Sequence, residues 1–145
     1  MKRFSFPLER VRRWREDQVE LEEIRLQNGY RDLRAVEAEQ IRVAEETERS
    51  CREILAKPSI PAGELSLLED YRLWGMRENR RLAASKAELE KGIREQKQRL
   101  LEAHRRFKLL NGLRDKALVS WTAARDKEQE DLAAELYLAK RHRDE

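Results

Sequence analysis

The sequence predicts an all-α fold, a long antiparallel two-helix coiled-coil hairpin. Three observations predict it. The chain has 145 residues, 42% of them charged, yet its net charge is only +3. Opposite charges are mixed rather than segregated into blocks, as on a solvated helix surface. Three prolines and five glycines leave long stretches free of helix breakers, and one cluster of breakers divides the chain near its middle. The second half carries a sustained 3.5-residue apolar period.

The first helix is expected over residues 7–56. Pro7 suits a first helical turn, where its missing N–H is no loss, and Ser5 is a candidate N-cap. Apolar residues recur at Leu8, Val11, Trp14, Leu21, Ile24, Leu33, Val36, Val43, Cys51 and Ile54, a stripe that drifts between heptad and longer spacing. The opening MKRFSFPLERVRRWRE reads as the start of this helix. Its Phe4, Phe6, Leu8, Val11 and Trp14 are expected to face the partner helix, with the arginines flanking them.

The turn, residues 57–63, holds Pro58, Pro61 and Gly63. Proline inside a helix loses a hydrogen bond and clashes with the preceding turn, so two within six residues end one helix before the next begins. A short connection between two amphipathic helices implies an antiparallel pair.

The second helix is expected over residues 64–140. Stepping four and three from Leu82 gives Lys86, Leu89, Ile93, Gln96, Leu100, Ala103, Phe107, Leu110, Arg114, Ala117, Trp121 and Ala124. Lys86, Gln96 and Arg114 are the polar members, and polar seam residues fix register at a cost in stability. Glu90–Arg94, Glu95–Arg99 and Glu102–Arg106 are acid-first pairs four apart, each adding a few tenths of a kcal/mol. Folding about residue 60 sets residue 8 opposite residue 112, so roughly the last thirty residues lack a partner helix. They still carry Ala117, Trp121, Ala124, Leu132, Leu136 and Leu138. Such an unpaired stripe is expected to dock something; the alternatives are a frayed end or a third helix folded back. Asn111-Gly112 marks a place for a kink.

Several function classes lack their residues. There is no glycine-rich phosphate loop, and His104 and His142 have no partner ligands at metal spacing. Cys51 reads as a small residue near the apolar stripe. A two-helix seam builds no dry concave pocket, so neither an enzyme nor a cofactor is expected. No apolar run reaches the ~18 residues of a membrane span, and charges interrupt any secretory signal, so a cytoplasmic protein is expected. The near-neutral balance argues against a nucleic-acid partner, despite Arg10, Arg12, Arg13 and Arg15 and later Arg77, Arg80 and Arg81.

Two stretches carry a family resemblance. Phe4-Ser5-Phe6-Pro7-Leu8-Glu9-Arg10-Val11 opens a long charged helix as FxFxLExV. Residues 99–139, RLLEAHRRFKLLNGLRDKALVSWTAARDKEQEDLAAELYLA, resemble the C-terminal helix of the flagellar export protein FliJ family. The shared run maps to Leu101 and Ala103, to Lys108 with Leu109 and Leu110, and to Glu128, Gln129 and Leu132. Ala133 and Ala134 stand where many relatives carry an acidic pair. The resemblance implies a component of the bacterial flagellar type III protein export apparatus, similar in form to the rotary ATPase central stalk. It implies insertion in the hexameric export ATPase, linkage to a membrane export-gate protein, contact with export chaperones, and a place peripheral to the inner-membrane basal body. On that expectation Trp14, Trp121, Leu132 and Leu136 enter the ring, and Leu65, Tyr71, Trp74 and Met76 at the hairpin tip meet the gate. The rival readings are a generic coiled-coil scaffold that homodimerises through its C-terminal stripe, and a basic nucleic-acid-binding arm.

Overall fold

The computed structural model describes residues 2–144. It is a two-helix hairpin, with α1 over Glu9–Leu55 and α2 over Ala62–Asp144. Leu8 O accepts the Arg12 N–H at 2.9 Å, so α1 starts two residues after Pro7, which stands in the turn before it, and Ser5 lies outside the helix. Pro61 O accepts the N–H groups of Glu64 and Leu65, opening α2 directly behind the last proline. Lys57 Nζ donates to Glu64 across the turn. α2 is unbroken through Gly75, Gly92 and Gly112, so Asn111-Gly112 is not a helix end.

The chain divides into two compact units, residues 22–100 and residues 1–21 with 101–145, and each helix runs through both. In the first, the pairing is antiparallel. Lys86 Nζ stands 3.9 Å from Glu37, Tyr30 lies under Lys97, and Gln96 Nε2 donates to the Glu22 carbonyl at 3.2 Å. A Cβ built on Gly75 would meet Thr47 Oγ1 at 2.8 Å, so the two helices approach closely here. Val43, Ile54, Leu82 and Ile93 are buried here. Each contributes about 1.5–3 kcal/mol of apolar burial, and the core is no thicker than this single seam.

In the other unit, Glu9 meets Arg114 at 3.5 Å and Phe4 meets Trp121, again antiparallel. Val19 is its buried aliphatic residue.

A strict three-four alternation runs through the shielded positions of α1, Arg12, Arg15, Val19, Glu22, Leu26, Gly29, Leu33, Val36, Gln40, Val43, Thr47, Ser50 and Ile54, and Glu9, Gln18, Tyr30, Glu37, Glu39 and Cys51 are half-buried beside it. The drift expected from the apolar residues is therefore not the drift of the seam. The seam keeps its heptad frame and takes polar residues where the sequence offers no apolar one. Trp14 is half exposed, and Val11, Leu21 and Ile24 also face outward. Of the residues expected to face α2 with arginines flanking, Phe4 and Phe6 are half-buried, while Leu8, Val11 and Trp14 are exposed and Arg12 and Arg15 take the shielded positions, Arg15 turning its guanidinium over Trp14. In α2 the shielded set reproduces the steps from Leu82 through Trp121, and Ala124 is exposed. Glu102 and Arg106 pair at 3.1 Å.

Candidate functional site

Two surfaces contain the residues singled out from the sequence, Trp14 excepted. The first lies at the end of α2. The structure places Trp121 differently from the unpaired stripe expected after Asn111. The segment ahead of α1 covers it. Trp121 Nε1 donates to the Lys2 carbonyl at 3.1 Å, and the Phe4 ring meets the indole edge-on at 5.9 Å. Arg114 lies over Phe4 and Arg125 over Trp121. Pairing therefore reaches Trp121, further than helix lengths alone allow. The hydrogen bond to Lys2 was missed because its acceptor is a main-chain carbonyl outside any helix. The recurrence of Phe4 and Phe6 beside a distant Trp was the available signal.

Beyond Arg125 the shielding ends. Every side chain described from Asp126 to Asp144 is exposed, and the helix continues. This segment carries Leu132, Leu136, Tyr137 and Leu138, each more than half exposed. Leu132 and Leu136 stand one turn apart on one face. A shallow groove beside Leu132 is bordered by Lys127, Glu128, Asp131 and Glu135. Trp14 lies elsewhere, on the outer flank of α1 with the Arg15 guanidinium 4.6 Å over its ring. The expected four-residue surface is thus split: Leu132 and Leu136 together, Trp121 engaged internally, Trp14 apart.

Polar groups fix the N-terminal pairing. Arg12 binds the Glu9 carboxylate through Nη2 at 2.6 Å and Nε at 3.0 Å. This fork, reinforced by the Arg12 and Arg114 charges, lowers the Glu9 carboxyl to about 2. Glu9 thereby joins α1 to the seam arginine of α2.

The second surface adjoins the turn. Leu65 and Met76 are exposed, Trp74 is just exposed, and Tyr71 is half-buried on the seam. Tyr71 and Trp74 line a groove with Leu67, Asp70 and Glu46. Met76 belongs to another groove, with Val43, Thr47, Cys51 and Gly75. Tyr71 and Trp74 therefore share one groove, Met76 lines another, and Leu65 lines neither of them.

Among the described residues no group of three His, Cys, Asp or Glu is placed to hold a metal ion. Among them, too, no helix is long and apolar enough to cross a membrane. The arrangement presents apolar stripes and grooves suited to packing against other helices. The fold defines the class, an all-α two-helix hairpin. No family model matches the chain, and neither a curated protein nor a solved structure matches it.

Proposed function

We propose that the chain is a non-enzymatic component of a bacterial flagellar type III export apparatus. In this reading it is a cytoplasmic stalk-like hairpin that engages the hexameric export ATPase, promotes ring assembly and activity, and joins the ring to a membrane export-gate protein. Export chaperones are further partners. The sequence resemblance supplies the system. One structural observation supports the mode of action: α2 continues helical past Arg125 with every side chain described there exposed, and it carries Leu132 and Leu136 on one face. A helix with an unshielded leucine stripe gains affinity by entering an apolar enclosure, and a ring pore is such an enclosure. The groove of Tyr71 and Trp74 beside the turn supplies a second contact, assigned to the gate.

The test mixes the chain with a purified flagellar export ATPase and measures ring formation and ATP hydrolysis. Leu132→Asp with Leu136→Asp leaves the hairpin folded, since neither side chain is shielded, and is expected to weaken stimulation about tenfold. Trp121→Ala is a poorer probe, because it also releases the segment carrying Lys2 and Phe4. Unchanged stimulation by the double variant refutes the assignment. A concentration-dependent dimer that the same double variant abolishes would favour the homodimerising scaffold.

A further inference from the structure

Trp121 is masked by a segment that belongs to neither helix. Residues 2–6 run ahead of the turn at Pro7 and Leu8. The Trp121 Nε1–H donates to the Lys2 carbonyl at 3.1 Å, and the Phe4 ring meets the indole edge-on at 5.9 Å. Phe4 and Phe6 are half-buried, while Lys2, Arg3 and Ser5 are exposed. Pro7 disfavours helical geometry at Phe6, so the segment does not extend α1. The Glu9 N–H donates to the Phe6 carbonyl at 3.1 Å and closes the turn between segment and helix. Residues 2–6 thus form a strap, joined to α1 through a turn and to α2 through an aromatic contact and a side-chain hydrogen bond. The strap lies outside the backbone ladders of both helices, so it can leave Trp121 without unwinding either.

What the strap covers continues the exposed stripe. Trp121 and Leu132 are eleven residues apart on one unbroken helix. That spacing is three turns, about 16 Å along α2 and only about 20° around it. Ala139 falls on the same line, and Leu136 stands about 60° round from Trp121 on the same side. Arg125 lies between Trp121 and Leu132, its guanidinium 5.2 Å over the indole. Leu132 and Leu136 are exposed, whereas Trp121, larger than either, is half-buried under Phe4 and Lys2. The stripe therefore has an aromatic inner end, and the strap keeps it closed.

We propose that residues 2–6 are an autoinhibitory strap: they mask Trp121 in the free chain, and the partner that takes Leu132 and Leu136 displaces them and adds the indole to its contact. The proposal rests on the reading of that stripe as the surface that enters the export ATPase ring. A chain whose strap is closed engages more weakly than its exposed leucines and indole together allow, because apparent affinity falls with the fraction of chains that are open. Phe4 sets that fraction, since its ring is the strap's half-buried contact with Trp121.

The experiment follows the strap and the ring separately. A bimane fluorophore is attached at Arg3→Cys in a Cys51→Ser background; Arg3 is exposed and stands between the two residues that touch Trp121. Tryptophan quenches bimane at contact, so the free labelled chain is expected to be dim and the same chain with Trp121→Phe bright. A saturating amount of a purified flagellar export ATPase is expected to raise the emission at least about twofold as the strap leaves. Unlabelled Phe4→Ala is expected to reach half-maximal stimulation of ATP hydrolysis at about a threefold lower concentration than the unmodified chain. Far-ultraviolet circular dichroism verifies that both helices persist in each variant. A free chain already as bright as Trp121→Phe overturns the proposal, because the strap is then not closed. Stimulation without brightening overturns it too and leaves the ring contact standing. So does a Phe4→Ala chain that stimulates at the same or a higher concentration, which makes the segment a fixed part of the fold or of the contact. Failure of the unmodified chain to stimulate at all refutes the ring reading, and the strap falls with it.

Discussion

Gly75→Ala is expected to destabilise the hairpin, although alanine is the better helix former. The new Cβ would stand 2.8 Å from Thr47 Oγ1, 3.0 Å from its Cγ2 and 3.4 Å from its Cβ. Thr47 does not turn aside cheaply. Its β-branch restricts the side chain, and its hydroxyl donates to the Val43 carbonyl at 2.8 Å. Overpacking of this kind costs about 1–3 kcal/mol. The gain in helix propensity offsets about 1 kcal/mol, leaving a loss of up to about 2 kcal/mol. At Gly92 and Gly112 an added Cβ meets nothing within 4 Å, so alanine there should stabilise by up to about 1 kcal/mol. In a Thr47→Ala background only the 3.4 Å contact remains, an ordinary van der Waals distance. Gly75→Ala should then become stabilising, with a coupling of about 2 kcal/mol between the two sites. Urea titrations followed by far-ultraviolet circular dichroism measure all four comparisons. The reasoning fails if Gly75→Ala raises the midpoint as Gly112→Ala does, or if its sign is the same with and without Thr47.

Two further outcomes follow from burial and charge. Leu82→Ala removes a side chain only 3% exposed and should cost about 2–5 kcal/mol, whereas Leu109→Ala should stay within about 0.5 kcal/mol, both read as urea midpoints. Glu9 has its carboxyl at about 2 in the folded chain against 4.5 ordinarily, chiefly through the Arg12 hydrogen bond. A depressed folded value stabilises above the unfolded one, so this contribution is complete above about pH 5 and is lost as pH falls from about 4.5 towards 2. Glu9→Gln should flatten that part of the stability profile; an unchanged profile would show that the Arg12 fork contributes nothing.

Much of the hairpin is legible in the sequence. Pro58, Pro61 and Gly63 place the break because proline's chemistry is local. The α2 seam is readable from Leu82 to Trp121 because its apolar residues keep one period. The exposed leucines at 132 and 136 are readable from helix lengths alone. The covering of Trp121 by Lys2 and Phe4 is not, because it joins groups 119 residues apart through a non-helical segment.

The sequence by itself determines two helices, where they part, and which stripe of α2 is apolar, since helix propensity, breakers and periodicity are properties of one strand of chain. Only the tertiary structure decides which face of α1 meets α2. Val19, Val43 and Ile54 hold the frame, and α2 repeats it without a break, so the first turns must follow even where this puts Arg12 and Arg15 inward and Trp14 outward. The physical reason is that a seam's phase is set by the sum of contacts along both helices. No single turn can leave that register for a better local fit.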